Sequence, residues 1–149
     1  MSACSVKRIR KGCLVRKHLY KLPAILYSIL IFYLSSLPQR ELPQVPIFGF
    51  DKISHFLEYL FYAMTLMLAF TKSKSTFFQK NAVVVSAVTG LLYAASDEFH
   101  QLYVAGRDCT LSDFIADAIG VIVGIYLFRK LIRYDHSGDD IIYQKTSHK

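Results

Sequence analysis

The sequence predicts an all-α polytopic membrane protein, a bundle of four transmembrane helices. Of its 149 residues, 53% are hydrophobic, and mean hydropathy is +0.31. The apolar residues fall in four blocks with the charges between them. Charge is costly in hydrocarbon, so a bilayer imposes this arrangement. Each block also approaches the roughly 20 residues a helix needs to cross a hydrocarbon core of about 30 Å.

The first block, LYKLPAILYSILIFYLSSL, covers 19–37. Pro23 falls in its first turn, where a missing N–H does little harm. Pro38, Pro43 and Pro46 then hold an extended loop. The SLPQRELP segment carries no small-residue cleavage pattern, so an uncleaved first span is expected rather than a signal peptide.

The second span is predicted over about 52–70, the third over 81–101 and the fourth over 111–132. In the third block the charge-free part is Asn81 to Ser96. As helix this stretch reaches only about 24 Å. The helix is therefore expected to continue through Asp97, Glu98 and His100, and the same requirement draws Asp113 and Asp117 into the fourth span. The three pieces of the chain are then a basic cytoplasmic segment (1–18), a membrane domain (19–132) and a polar cytoplasmic tail (133–149) without expected order.

The formal net charge is +7. Its placement argues against nucleic acid, because the basic residues flank apolar blocks rather than form a folded basic domain. Seven of the 18 Lys and Arg lie between Lys7 and Lys21. With the 72–80 loop and the C-terminal flank, 15 fall on one side of the predicted bundle, and only Arg40, Lys52 and Arg107 on the other. The positive-inside rule therefore puts both termini in the cytoplasm of a multi-pass cell-membrane protein, with loops 38–51 and 104–110 outside. Membrane lipids are expected partners, the basic flank resting on anionic headgroups, and a chain this short can also work as a homo-oligomer. Cys4, Cys13 and Cys109 fit neither a metal knuckle nor a disulfide framework, and free thiols are expected.

Acidic residues show the opposite skew, eight on the outer side and three inside. Topology does not explain it, since acidic residues contribute little to orientation. Helical spacing puts Asp51, His55, Glu58 and Tyr62 on one face of the second span. On the third, Gly90, Tyr93, Asp97 and Gln101 share a face, with Glu98 and His100 to either side. On the fourth, Asp113, Asp117, Gly120 and Gly124 align, and Gly120-x-x-x-Gly124 suits close helix packing.

Nothing in the sequence requires the three polar faces to meet, but facing lipid would cost each charge about 2.5–3.5 kcal/mol near the bilayer centre, whereas facing one another lets them pair. His55, Glu58, Asp97, Glu98 and His100 are the candidate acid–base cluster. Lys52, Gln101, Arg107, Asp113 and Asp117 are the candidate substrate-binding set, with Arg107 suited to a phosphate or carboxylate. Bland alternatives stand beside each. His55 can pair with Asp51 or Glu58, Asp97 and Glu98 can end a span, and Asp117 can bridge to Arg107 or Lys52. No organic cofactor is expected. His55 with Glu58, and Asp97 and Glu98 with His100, could hold a divalent metal, although the spacing is weaker than HExxH.

Segments DKISHFLEY (51–59) and SDEFHQLYVAGRDCTLSDFIADAIGVIVG (96–124) resemble the two signature stretches of VanZ-like membrane proteins. The match runs through Asp51, Lys52, His55, Glu58, Tyr59, Ser96, Asp97, Glu98, His100, Gln101, Gly106, Arg107, Asp113, Asp117, Gly120 and Gly124. Asp117 stands where that family more often has Asn. The resemblance, over about residues 20–130, implies a link to resistance against a glycopeptide antibiotic, teicoplanin, but no reaction.

Three functions fit. One is binding or modifying an envelope-associated substrate at the outer face: a lipid-linked sugar, a headgroup or a glycopeptide. The others are a small proton-coupled transporter and a non-catalytic membrane scaffold. Whether the chain is an enzyme is left open by the residues themselves.

Overall fold

The computed structural model describes residues 19–38, 40, 49–107 and 110–147, with side chains described as far as Ile132. The basic segment 1–18 with Cys4 and Cys13, most of the loop around Glu41, and Asp108 and Cys109 lie outside the described residues.

The described residues are helical, without strands: α1 (Leu22–Ser35), α2 (Phe50–Thr71), α3 (Thr76–Lys80), α4 (Ala82–Gln101) and α5 (Leu111–Ser147). Three helices are long and apolar enough to cross a membrane: α2, α4 and the Leu111–Ile132 part of α5. Helix α1 is the exception. Its 14 residues extend about 21 Å, short of the hydrocarbon thickness. The apolar block continues to Leu37, but Pro38 bars the preceding residue from helical geometry. Ser36 and Leu37 instead close the end with turn bonds to Phe32, Tyr33 and Leu34.

Pro23 sits in the first turn of α1 as the sequence suggests. Gly49, with φ +81°, turns the chain into α2, a conformation that glycine adopts without a Cβ penalty. Helix α4 continues through Asp97, Glu98 and His100. A separate short helix, α3, occupies part of what reads as a plain lysine-bearing loop. The last helix does not end with its apolar residues at Ile132; its backbone stays helical to Ser147.

The packing is inverted relative to a water-soluble domain. His55, Asp97, Glu98, Gln101, Asp113 and Asp117 are buried, while Leu26, Ile29, Phe32, Tyr33, Leu92 and Ile122 are exposed. In water such an apolar exterior would be a large exposed patch. In lipid it is the ordinary outer surface, and the polar side chains gain by turning inward.

Helices α2 and α5 make the closest pair. A Cβ built on Gly120 would collide with the Phe56 carbonyl, and one on Gly124 with the Leu60 carbonyl. The two backbones therefore touch along the GxxxG face. Below the polar end the bundle closes around Tyr59, Tyr62, Ala63, Leu66, Met67, Ala94, Val121 and Ile125. Met67 is core packing, as its position on the helix suggests.

Candidate functional site

The α2 N-terminus, the α4 C-terminus and the α5 N-terminus meet at the end of the bundle opposite α3. Alternating up-and-down helices put these ends side by side, and the polar residues of each span occur there. The three polar faces converge.

His55 is central. It points from α2 between α4 and α5 and is 6% exposed. Its Nδ1 lies 3.1 Å from Oδ1 of Asp117 on α5 and 3.8 Å from Oε1 of Glu98 on α4. Its Nε2 lies 3.9 Å from Asp51 Oδ1, one turn earlier on α2. Of the bland alternatives, the Asp51 contact exists but is the looser one. Asp117 takes its hydrogen bond from His55, not from Lys52 or Arg107.

Lys52 pairs instead with Asp113, one turn nearer the helix end than Asp117, and lies 3.5 Å from Asp51. Thr110 donates to the other Asp113 oxygen and accepts the Asp113 N–H. This threonine was missed as a site residue, yet T-x-x-D before an apolar run is a helix-start signal. It fixes both the first turn of α5 and the carboxylate that holds Lys52.

Asp97 is buried and accepts from the Gln101 amide at 3.0 Å. Glu58 is half-buried on α2, within electrostatic reach of Asp97, His55 and Asp117. His100 stands at the edge of this group, within electrostatic reach of Asp97 but bonded elsewhere. Its Nε2 lies 3.1 Å from Ser36 Oγ, and its ring packs on Phe32 with centroids 4.9 Å apart. Residues two apart on a helix diverge by about 200°, so Glu98 and His100 point to opposite sides of α4.

Arg107 follows Gly106, whose φ of +76° turns the loop inward. Its Nη2 donates to the Leu34 carbonyl at 2.8 Å and its Nε to that of Leu37 at 3.3 Å. These carbonyls lie at the end of α1, where intrahelical partners run out; that of Leu34 also accepts the Leu37 N–H. The guanidinium therefore docks α1 as well as lining the site. Arg107→Ala is expected to cost about 1–3 kcal/mol by removing two charge-assisted hydrogen bonds to the end of α1. The check is a lowered thermal midpoint in detergent, partly recovered by Arg107→Lys. An unchanged midpoint would show that the guanidinium does not hold α1.

Together Asp51, Lys52, His55 and Asp113, with Gln101, Gly106, Arg107 and Thr110, line a cavity of about 260 Å³. His55 forms its floor, and Glu98 and Asp117 lie behind that floor.

A profile of the VanZ/LLP1 family matches residues 14–133. The chain belongs to the VanZ/LLP1 family. Neither a curated protein nor a solved structure matches it. In this VanZ/LLP1 protein both segments that resemble the family signature line one cavity, DKISHFLEY from α2 and SDEFHQ onward from α4, the following loop and α5. That explains in physical terms why a motif split by more than thirty residues of sequence reads as a unit.

Proposed function

We propose that the chain is a four-span membrane protein, both termini cytoplasmic, that binds the anionic portion of an envelope-associated substrate in its outward-facing cavity. The supporting observation is the cavity itself. Lys52, His55, Gln101 and Arg107, all hydrogen-bond donors to an anion, converge there from two helices and a loop. Arg107 spends two of its N–H groups on α1 and has others to offer. The distribution of basic residues, 15 against 3, supports the outward orientation. For α1 to complete the fourth span, its ends must be extended by the polar residues around it or by local bilayer thinning.

The candidate substrates share an anionic or hydrogen-bonding head: a diphosphate-linked sugar lipid, a phospholipid headgroup or a glycopeptide. The test is saturable binding to the chain in nanodiscs, measured with each of the three in turn. One of them is expected to bind with an affinity that falls at least tenfold in Lys52→Gln, the scale of a lost charge-assisted hydrogen bond of about 1.5–3 kcal/mol. Absence of saturable binding by all three, or full retention in Lys52→Gln, would count against the proposal. Orientation is checked separately with a membrane-impermeant maleimide on intact cells, which should label through Cys109 and not through Cys4 or Cys13.

A further inference from the structure

Behind the cavity floor three side chains from three helices meet. They are His55 of α2, Glu98 of α4 and Asp117 of α5, at 6%, 4% and 0% exposure. One donor atom from each can be chosen so that all lie within 4.8 Å of one another. The His55 Nδ1 separations are 3.1 Å to Asp117 and 3.8 Å to Glu98.

These distances have a chemical meaning. Nitrogen and oxygen ligands sit about 2.0–2.2 Å from Zn²⁺, so two of them at a tetrahedral angle are about 3.4 Å apart. The two separations from His55 straddle that value, and the carboxylate oxygens lie within 4.8 Å of each other. A salt bridge needs only two partners; here one imidazole faces two carboxylates at comparable range.

Charge points the same way. Two carboxylates are sequestered from water, where unbalanced charge is expensive. A divalent cation bound by both, with a neutral imidazole as third ligand, leaves no net charge in the cluster.

Independently, two buried polar atoms lack hydrogen-bond partners among the described residues. One is Asp117 Oδ2; the other is the hydroxyl of Tyr59. Both residues are 0% exposed. The Tyr59 hydroxyl lies in the field of Asp97, Asp117 and Glu58. Buried polar atoms in folded proteins are nearly always satisfied. A cation with a water in its coordination shell would give a partner to the carboxylate oxygen and, through the water, to the tyrosine.

We propose that His55, Glu98 and Asp117 bind one divalent first-row transition cation, of the Zn²⁺ class, at the floor of the cavity. The imidazole selects against Mg²⁺ and Ca²⁺, which take oxygen ligands, and the lack of a thiolate selects against softer ions. Three protein ligands leave a coordination position open. His55 also lines the cavity, so the site adjoins it. The residues differ from the H-x-x-E and D-E-x-H pairs suggested by spacing: His100 is turned away, and Asp117 takes its place. The site stands on the triad alone and does not depend on what occupies the cavity.

The test uses the full, tag-free chain in detergent, stripped with chelator and then titrated with Zn²⁺. Retained metal is measured by elemental analysis after desalting, alongside the thermal midpoint. The wild type is expected to retain one Zn²⁺ per chain with a raised midpoint, and to gain nothing from Mg²⁺. Asp117→Asn and Glu98→Gln keep the side-chain shapes and are expected to weaken Zn²⁺ binding at least tenfold, while His100→Gln, whose ring is held by Ser36 and Phe32, leaves it unchanged. No retention by the wild type would overturn the proposal. So would retention undiminished in both isosteric variants, as binding through histidines elsewhere would give, or loss in His100→Gln alone, which would move the ion away from the triad.

Discussion

Placing leucine at Gly120 is expected to remove most of the folded, monodisperse protein, and alanine there should already cost about 1–3 kcal/mol, the usual range for overpacking. A Cβ at this position would run into the Phe56 carbonyl and lie 3.1 Å from the Leu60 nitrogen. Those are backbone atoms of α2, so no rotamer change relieves the clash. The helices must move apart by roughly an ångström, and close-packed interiors absorb such changes poorly. The same two helices carry His55 and Asp117, whose 3.1 Å contact sits only one turn from the collision. A separation of that size would break it, so the damage reaches the site as well as the seam. Gly90 supplies the comparison. Its Cβ would meet the Val121 side chain at 3.0 Å, atoms that can shift, so Gly90→Ala should cost less than Gly120→Ala. Yield after size exclusion in detergent and denaturant-induced unfolding followed by circular dichroism measure both. A Gly120→Leu protein with wild-type yield and stability would mean that the α2 and α5 backbones do not touch.

Much of this geometry was legible from periodicity. Asp51 and His55 fall on one face of α2 by spacing alone, and Asp113 and Asp117 are one turn apart on α5. Whether these faces converge stayed open in the sequence, since the cost of exposing charge to lipid favours pairing without choosing the partners; the structure brings them together, with His55, Asp97, Glu98, Asp113 and Asp117 buried. The GxxxG seam could be read as a motif, but not its partner, because the partner is the α2 backbone rather than any side chain pattern. Arg107 was legible as a cation near the site and not as the clamp on α1, some seventy residues earlier in sequence. Such long-range hydrogen bonds depend on where a helix end presents its last carbonyls, and here Pro38 helps set that end. His100 was grouped with the cluster by proximity in sequence, although helix geometry already turns it away from Glu98. Polar residues near a helix end can share a depth without sharing a direction.

The second large effect is expected at His55. His55→Leu has a similar volume, so packing changes little, but Glu98 and Asp117 lose the imidazole that faces them both. Removing one partner of a buried ionic group costs about 3–5 kcal/mol, because the remaining charge is left uncompensated. Unfolding in mixed detergent should show a loss of that size. A variant that also carries Glu98→Gln and Asp117→Asn has no charge left in the triad, and most of the stability should return. The pair of proteins separates two roles that a single substitution confuses. If the loss in His55→Leu came from a cavity or a clash, neutralising the carboxylates would not restore it. If the triad existed only to hold the helices together, the restored triple variant would retain Zn²⁺ and cavity ligands like the wild type. The expected result is a protein that folds and binds neither. A buried charge cluster whose electrostatic balance can be replaced without loss of fold, but not without loss of binding, is kept for what it binds. The adjoining GxxxG seam, which packs whether or not the cluster is charged, is what holds the helices at the spacing the cluster needs.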